Sequence, residues 1–174
     1  RELQEDVHIR EVVNSCVEVR KRRGGMKPII LKLSPDLDKE TLLSCAGSAI
    51  GAGIDGFIAT NTTISRPIPK DTKSRKILAE SGGLSGRPLH QKSIEMIGDL
   101  YDSVGEKVPI IGCGGIEDTE TAWSSITNGA TLIQLYSSMV FQGPSVVSSI
   151  VKGLKKKMSD EQFENFNEVI GYSR

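Results

Sequence analysis

The chain has 174 residues, 37% of them hydrophobic, which suits one ordinary domain with a sizeable core. A charged fraction of 25% is average and argues against a disordered tail or a coiled coil. With 22 Lys+Arg against 22 Asp+Glu the formal net charge is zero, where a nucleic-acid binder normally carries a basic excess.

In chain order, Leu3, Val7, Ile9, Val12, Val13, Cys16, Val17 and Val19 recur at near-helical spacing, and Gly24-Gly25 stops the pattern. Pro28 then introduces Ile29-Ile30-Leu31-Lys32-Leu33, a short β-branched run closed by Ser34-Pro35, which predicts a buried strand. Asp38 caps a helix from Lys39 to about Ile50, and Gly56-Phe57-Ile58-Ala59-Thr60 is a second strand. Residues 61 to 86 are polar, contain Pro67 and Pro69, and end in Gly82-Gly83-Leu84-Ser85-Gly86. So long a loop inside one domain is usually functional or mobile.

Pro88 opens a helix with Leu89, Ile94, Ile97, Leu100 and Tyr101 on its apolar face. The third strand is Val108-Pro109-Ile110-Ile111-Gly112, running into Cys113-Gly114-Gly115-Ile116. Asp118 or Thr119 caps the next helix, Thr131 to Leu135 is the fourth strand, and Gly143-Pro144 introduces a helix through Leu154. One more short helix is expected between Met158 and Arg174.

Cys16, Cys45 and Cys113 are odd in number and lack CxxC spacing, against a disulfide framework or a zinc site and for a reducing compartment. No apolar run approaches the roughly 20 residues of a membrane span, and no signal peptide opens the chain. Beginning at Arg1 rather than Met, the sequence reads as a processed piece or a fragment.

Strands alternating with helices predict parallel pairing with right-handed crossovers. A Rossmann fold is the first alternative, but no G-x-G-x-x-G follows any strand. The polar and glycine-rich residues instead gather after the strand ends, as on the active-site face of a (β/α)8 barrel. About four βα units are present where a closed barrel needs eight. The chain, residues 1–174, is therefore read as half of a TIM-barrel domain, with the N-terminal half expected before Arg1.

Lys32 lies inside an apolar strand, where a charge is expensive unless it reaches the rim, pairs, or faces an anionic ligand or a carbonyl. Asn61, within Thr60-Asn61-Thr62-Thr63, offers donor and acceptor together, which suits a planar amide-containing ring as well as strand-end capping. Gly112-Cys113-Gly114-Gly115 and Tyr136-Ser137 follow strands three and four, the place where barrels bind phosphate. The basic runs at Arg20–Arg23 and Lys155–Lys157 read as solvated helix ends. His8 and His90 sit on or near helix surfaces, and no Ser/His/Asp or Cys/His set assembles a general base.

These residues resemble the dihydroorotate dehydrogenase family. Lys32-Leu33-Ser34-Pro35-Asp36-Leu37 is similar to its "KxxPDL" strand, Thr60-Asn61-Thr62-Thr63 to its "TNTT" segment, and Gly82 to Leu89 to its "GGLSGRPL" loop. The wording of the last two resembles class 2, the membrane-associated, quinone-dependent branch. The resemblance implies the C-terminal half of an FMN-binding barrel that oxidises dihydroorotate to orotate in pyrimidine biosynthesis, with a quinone reoxidising the flavin. It places Lys32 beside the flavin's pyrimidine edge, Thr60 on the flavin, and Gly86, Gly115, Tyr136 and Ser137 around FMN, mainly its phosphate. Asn61 and Thr62 would bond the orotate ring. The catalytic serine of class 2, the rest of the FMN contacts and the N-terminal quinone-tunnel helices would lie upstream, so this chain alone is expected to be inactive. Association with an inner or cytoplasmic membrane would come through that upstream region. Residues 64 to 81 are longer than in familiar members. Two other readings of the same residues are a Schiff-base aldolase using Lys32 and a non-catalytic, nucleotide-binding half-barrel.

Overall fold

Four short strands form the centre of the molecule: β1 (Ile30–Leu33), β2 (Gly56–Ala59), β3 (Ile110–Cys113) and β4 (Leu132–Gln134). A computed structural model describes residues 6–174. All three pairings are parallel and the spatial order is β1-β2-β3-β4, the same as the chain order. A doubly wound sheet reverses its strand order at a switch point. Here there is no reversal, and the order is that of barrel strands.

Among the described residues seven α-helices join and flank the strands: α1 (Asp6–Arg22), α2 (Lys39–Gly51), α3 (Thr72–Leu78), α4 (His90–Val104), α5 (Thr119–Thr127), α6 (Ser137–Gln142) and α7 (Ser145–Asp160). Asp38 caps α2 by accepting from the Thr41 N–H, and Asp118 forms a capping box with Thr121 on α5. On α1, Ile9, Val13 and Val17 at four-residue spacing are buried in the core, whereas Val12, Cys16 and Val19 are exposed. Leu3, expected on the same helix, lies outside the described residues.

The two faces of the sheet differ sharply. Leu33, Phe57, Ala59 and Ile110 point to one face and are all at most 1% exposed, packed with residues of α1, α2 and α4 in one cluster. Leu33, Phe57 and Ile110 each gain about 1.5–3 kcal/mol by leaving water, and the Ala59 methyl less. The register Lys32↔Ile58↔Ile111↔Leu132 defines the other face. On that face Lys32, Leu132 and Gln134 are exposed, while Ile58 and Ile111 are only half-buried. One face has its helices, and the other is open.

Several expected boundaries move. The third strand begins at Ile110 rather than Val108, because Pro109 has no N–H to give the ladder, although its carbonyl accepts from Phe57 N–H at 3.0 Å. The loop 61–86 contains α3, and α6 stands between β4 and the expected closing helix, which runs on to Asp160. The helix expected after Met158 is only a 3-10 turn at Phe166–Glu168. Arg20, read as a solvated helix end, instead pairs with the carboxylate of Asp55, which also accepts from Ile29 N–H at 2.7 Å.

Candidate active site

At the carboxyl ends of the four strands lies a cavity of about 370 Å³, within the range of small-molecule sites. Lys32 reaches it from β1, and Thr60, Asn61 and Thr62 from the segment after β2. Gly86 precedes the 3-10 turn that leads into α4, Gly115 follows β3, and Tyr136 and Ser137 follow β4. The parallel register brings all eight sequence-chosen residues to one place, although 105 positions separate the first from the last.

Strand-end hydrogen bonds fix the walls. Thr60 N–H donates to Cys113 O at 2.5 Å and Asn61 N–H to Leu33 O at 2.7 Å, joining the ends of β1, β2 and β3. Ser93 of α4, fully buried, donates towards Ala59 O (3.3 Å) and Cys113 O (3.1 Å). It offers a hydroxyl to carbonyls that the short ladder leaves at its edge. Asn61 Oδ1 accepts from Thr62 N–H at 2.9 Å, so its side-chain amide NH₂ remains the group it can offer a ligand.

Lys32 supplies the positive charge. Among the described residues its ammonium has no carboxylate partner, and it is close enough to Cys113 to act on the thiol electrostatically. Burial pushes the Cys113 thiol up from its ordinary value, and the Lys32 charge works against that rise. The acidic residue at this rim, Glu117, is taken by Arg87, whose Nε donates to Glu117 Oε1 at 2.6 Å. His90 places its Nδ1 3.3 Å from Gly114 O, and so faces a backbone carbonyl rather than a reacting atom.

Around Gly86, Gly115 and Ser137 the cavity wall is built from backbone. Gly115 has φ of +65°, and a Cβ there would stand 2.7 Å from Gly86 O and 2.7 Å from His90 Cβ. Only glycine allows these two loops to approach so closely. Among the described residues the N–H groups of Gly115, Ser137 and Ser138 donate to no protein acceptor. Ser138 Oγ is buried without a partner as well. Unsatisfied donors gathered at one end of a cavity fit an anion such as a phosphate monoester.

Sequence reasoning missed Ser93, Ser138 and the Arg87–Glu117 pair. Ser138 adjoins Ser137 and carried the same signal, whereas Ser93 and Glu117 become site residues only through packing.

The comparisons with known proteins agree with this geometry. The family model for dihydroorotate dehydrogenase matches residues 1–158. The fold is the α/β arrangement of part of a TIM barrel, and the chain belongs to the dihydroorotate dehydrogenase family. It is 42% identical over 152 residues to a dihydroorotate dehydrogenase (quinone) of Rhizobium leguminosarum bv. trifolii, covering 87% of this chain and 41% of that protein. It is 39% identical over 166 residues to one of Trichodesmium erythraeum, covering 91% of this chain and 43% of that protein. A crystal structure of the Eimeria tenella dihydroorotate dehydrogenase in complex with ferulenol superposes with a TM-score of 0.90 at 31% identity, over 99% of this chain and 50% of that one. The chain thus spans half or less of the length of these three proteins.

Proposed function

We propose that this chain is the C-terminal half of a quinone-dependent dihydroorotate dehydrogenase and forms the FMN platform together with part of the substrate site. The observation that carries the proposal is the convergence, on one cavity, of a Lys32 ammonium without a carboxylate partner among the described residues, the polar side chains of Asn61 and Thr62, and a cluster of unsatisfied backbone N–H groups. The residues fit the cofactor. Gly86, Gly115, Tyr136 and Ser137 would hold the FMN phosphate end, and Thr60 and Lys32 the ring end.

FMN, when bound, supplies the hydride acceptor for conversion of dihydroorotate to orotate, and a quinone takes the electrons onward. The role of Lys32 is to hold a fixed cation where negative charge develops in the ring system, a stabilisation that needs no reorganisation during the reaction. Asn61 and Thr62 bind and orient the pyrimidine through complementary donors and acceptors. The proton acceptor belongs to the complementary half of the barrel.

That half is supported by the sheet itself. β1 and β4 are both edge strands, and Leu132 is 58% exposed on the open face. Unpaired parallel edges around an apolar, half-buried face call for further strands. The N-terminal half is also the proposed route to the membrane, since no described helix is long and apolar enough to cross one.

The test is an anaerobic titration of the assembled protein with dihydroorotate. Bleaching of a flavin band and its return on adding a quinone are expected. A colourless protein, or borohydride trapping of a carbonyl substrate on Lys32, would favour the aldolase reading instead.

A further inference from the structure

Beside the cavity, and not lining it, stands a second cluster of polar groups centred on Asp36, three residues after the end of β1. Its carboxylate accepts the Thr63 hydroxyl, the Ile64 N–H at 2.9 Å and the Lys92 ammonium at 3.2 Å. Lys92, on α4, also donates to Ser65 Oγ at 2.6 Å. Thr63 is 2% exposed and is paired in both directions with Leu84 (3.0 and 2.7 Å), so it clamps the glycine-rich loop as well. Arg66 continues the cluster, donating to Thr63 O, Leu78 O and Gly82 O at 3.2, 3.0 and 2.6 Å. One carboxylate thereby gathers the end of β1, the segment after β2, helix α4 and the loop 64–82.

The Asp36 side chain is only 10% exposed, and it takes a backbone N–H and a hydroxyl besides the lysine. This sets it apart from a surface ion pair, whose effect is usually negligible. Asn61 and Thr62 are themselves exposed: Asn61 is held by the Leu33 carbonyl at its N–H and by the Thr60 hydroxyl at its carbonyl (2.8 Å), and Thr62 by the Asn61 side chain at its N–H and by contact with Gly83. Thr63, next in the chain and buried, anchors the segment at its C-terminal end.

We propose that Asp36, braced by Lys92, is a positioning residue that sets the Asn61–Thr62 segment for the pyrimidine through Thr63; this rests on the proposed function above. The group recognised remains the substrate ring, and Asp36 does not touch it. Loss of the carboxylate leaves Thr63 held by its backbone pairing with Leu84 and releases its hydroxyl and the Ile64 N–H, and Asn61 and Thr62 then sample orientations in which their donors and acceptors miss the ring.

The experiment uses the chain assembled with the half that completes its barrel, and reads the shift of the flavin band on titration with orotate. Asp36→Ala and Thr63→Val are expected to weaken orotate binding about tenfold or more, the loss of a charge-assisted hydrogen bond. FMN affinity should stay within about twofold, and Thr63→Ser, which keeps the hydroxyl, should bind orotate like the unmutated protein. A general loss of structure would instead lower FMN affinity, orotate affinity and melting temperature together, and that result would overturn the proposal. Equal orotate binding by Thr63→Val and Thr63→Ser would also overturn it, and decides the matter even if Asp36→Ala does not fold. Unmutated protein that carries flavin but shows no orotate shift would sink the proposed function; a normal shift in all the variants would sink only the role of Asp36.

Discussion

Gly83 lies flat against Thr62: a Cβ on Gly83 would fall 1.9 Å from Thr62 Oγ1 and 2.4 Å from Thr62 Cβ. The glycine-rich loop and the segment after β2 are therefore in direct contact at a point where no side chain fits. Gly83→Ala should push Thr62 aside and weaken orotate binding about tenfold. Because Gly86 and Gly115 are untouched, FMN should be retained. Flavin content and an orotate titration on one preparation check both halves of the expectation.

Gly115→Ala strikes the other end of the cavity. The alanine would have to adopt φ of +65° with its methyl against Gly86 O and His90. Strain of this kind costs of order 1–3 kcal/mol. The variant should melt earlier and carry less FMN per chain, measured by thermal unfolding and by the ratio of flavin to protein absorbance. An unchanged ratio would contradict the assignment of Gly115 to the phosphate end.

Acid should destabilise the fold through particular carboxylates. For Asp118, burial works to raise the pKa, but the N–H and hydroxyl of Thr121 outweigh it and hold the carboxyl below the usual aspartate range. For Asp36 burial is likewise outweighed, by Thr63, Ile64 and Lys92. A pKa depressed on folding means the unfolded chain binds more protons, so the stabilisation is present above the ordinary aspartate value of about 3.9 and is lost as pH falls through the folded value. Urea midpoints measured from roughly pH 6 down to pH 3 should fall, and less steeply in Asp118→Asn, which keeps a capping acceptor but no longer titrates.

Much of the fold was legible because its signals are local. Short β-branched runs between Pro and Gly marked the strands, and Asp38 and Asp118 marked the starts of α2 and α5. Helix α3 escaped because Thr72–Leu78 buries no residue and so has no apolar stripe, although Asp71 does cap it by accepting from Ser74 N–H at 2.7 Å. Helix α6 escaped for a related reason: Val140 and Phe141 are 72% and 86% exposed, so its apolar residues follow no buried face.

Within the cavity, residues at strand ends could be chosen from the sequence because parallel strands deliver their carboxyl ends to one place. Contacts across long separations could not. Asp36 and Thr63 are 27 positions apart, and Ser93 meets Cys113 across 20; the pairing of β1 with β2 brings the first two together, and the packing of α4 against β2 and β3 the second two. Arg20 shows the same limit, since its partner Asp55 lies 35 positions away and a basic helix end predicts no particular acid.

The proposed function requires the Lys32 ammonium to face the reacting end of a bound flavin. Stopped-flow mixing of dihydroorotate with the assembled protein, unmutated and Lys32→Ala, is the decisive measurement. Retained yellow colour with flavin bleaching slowed by about 100-fold or more is the expected result, the size of effect seen when one preorganised charge-stabilising group is removed. Bleaching at the unmutated rate would contradict it.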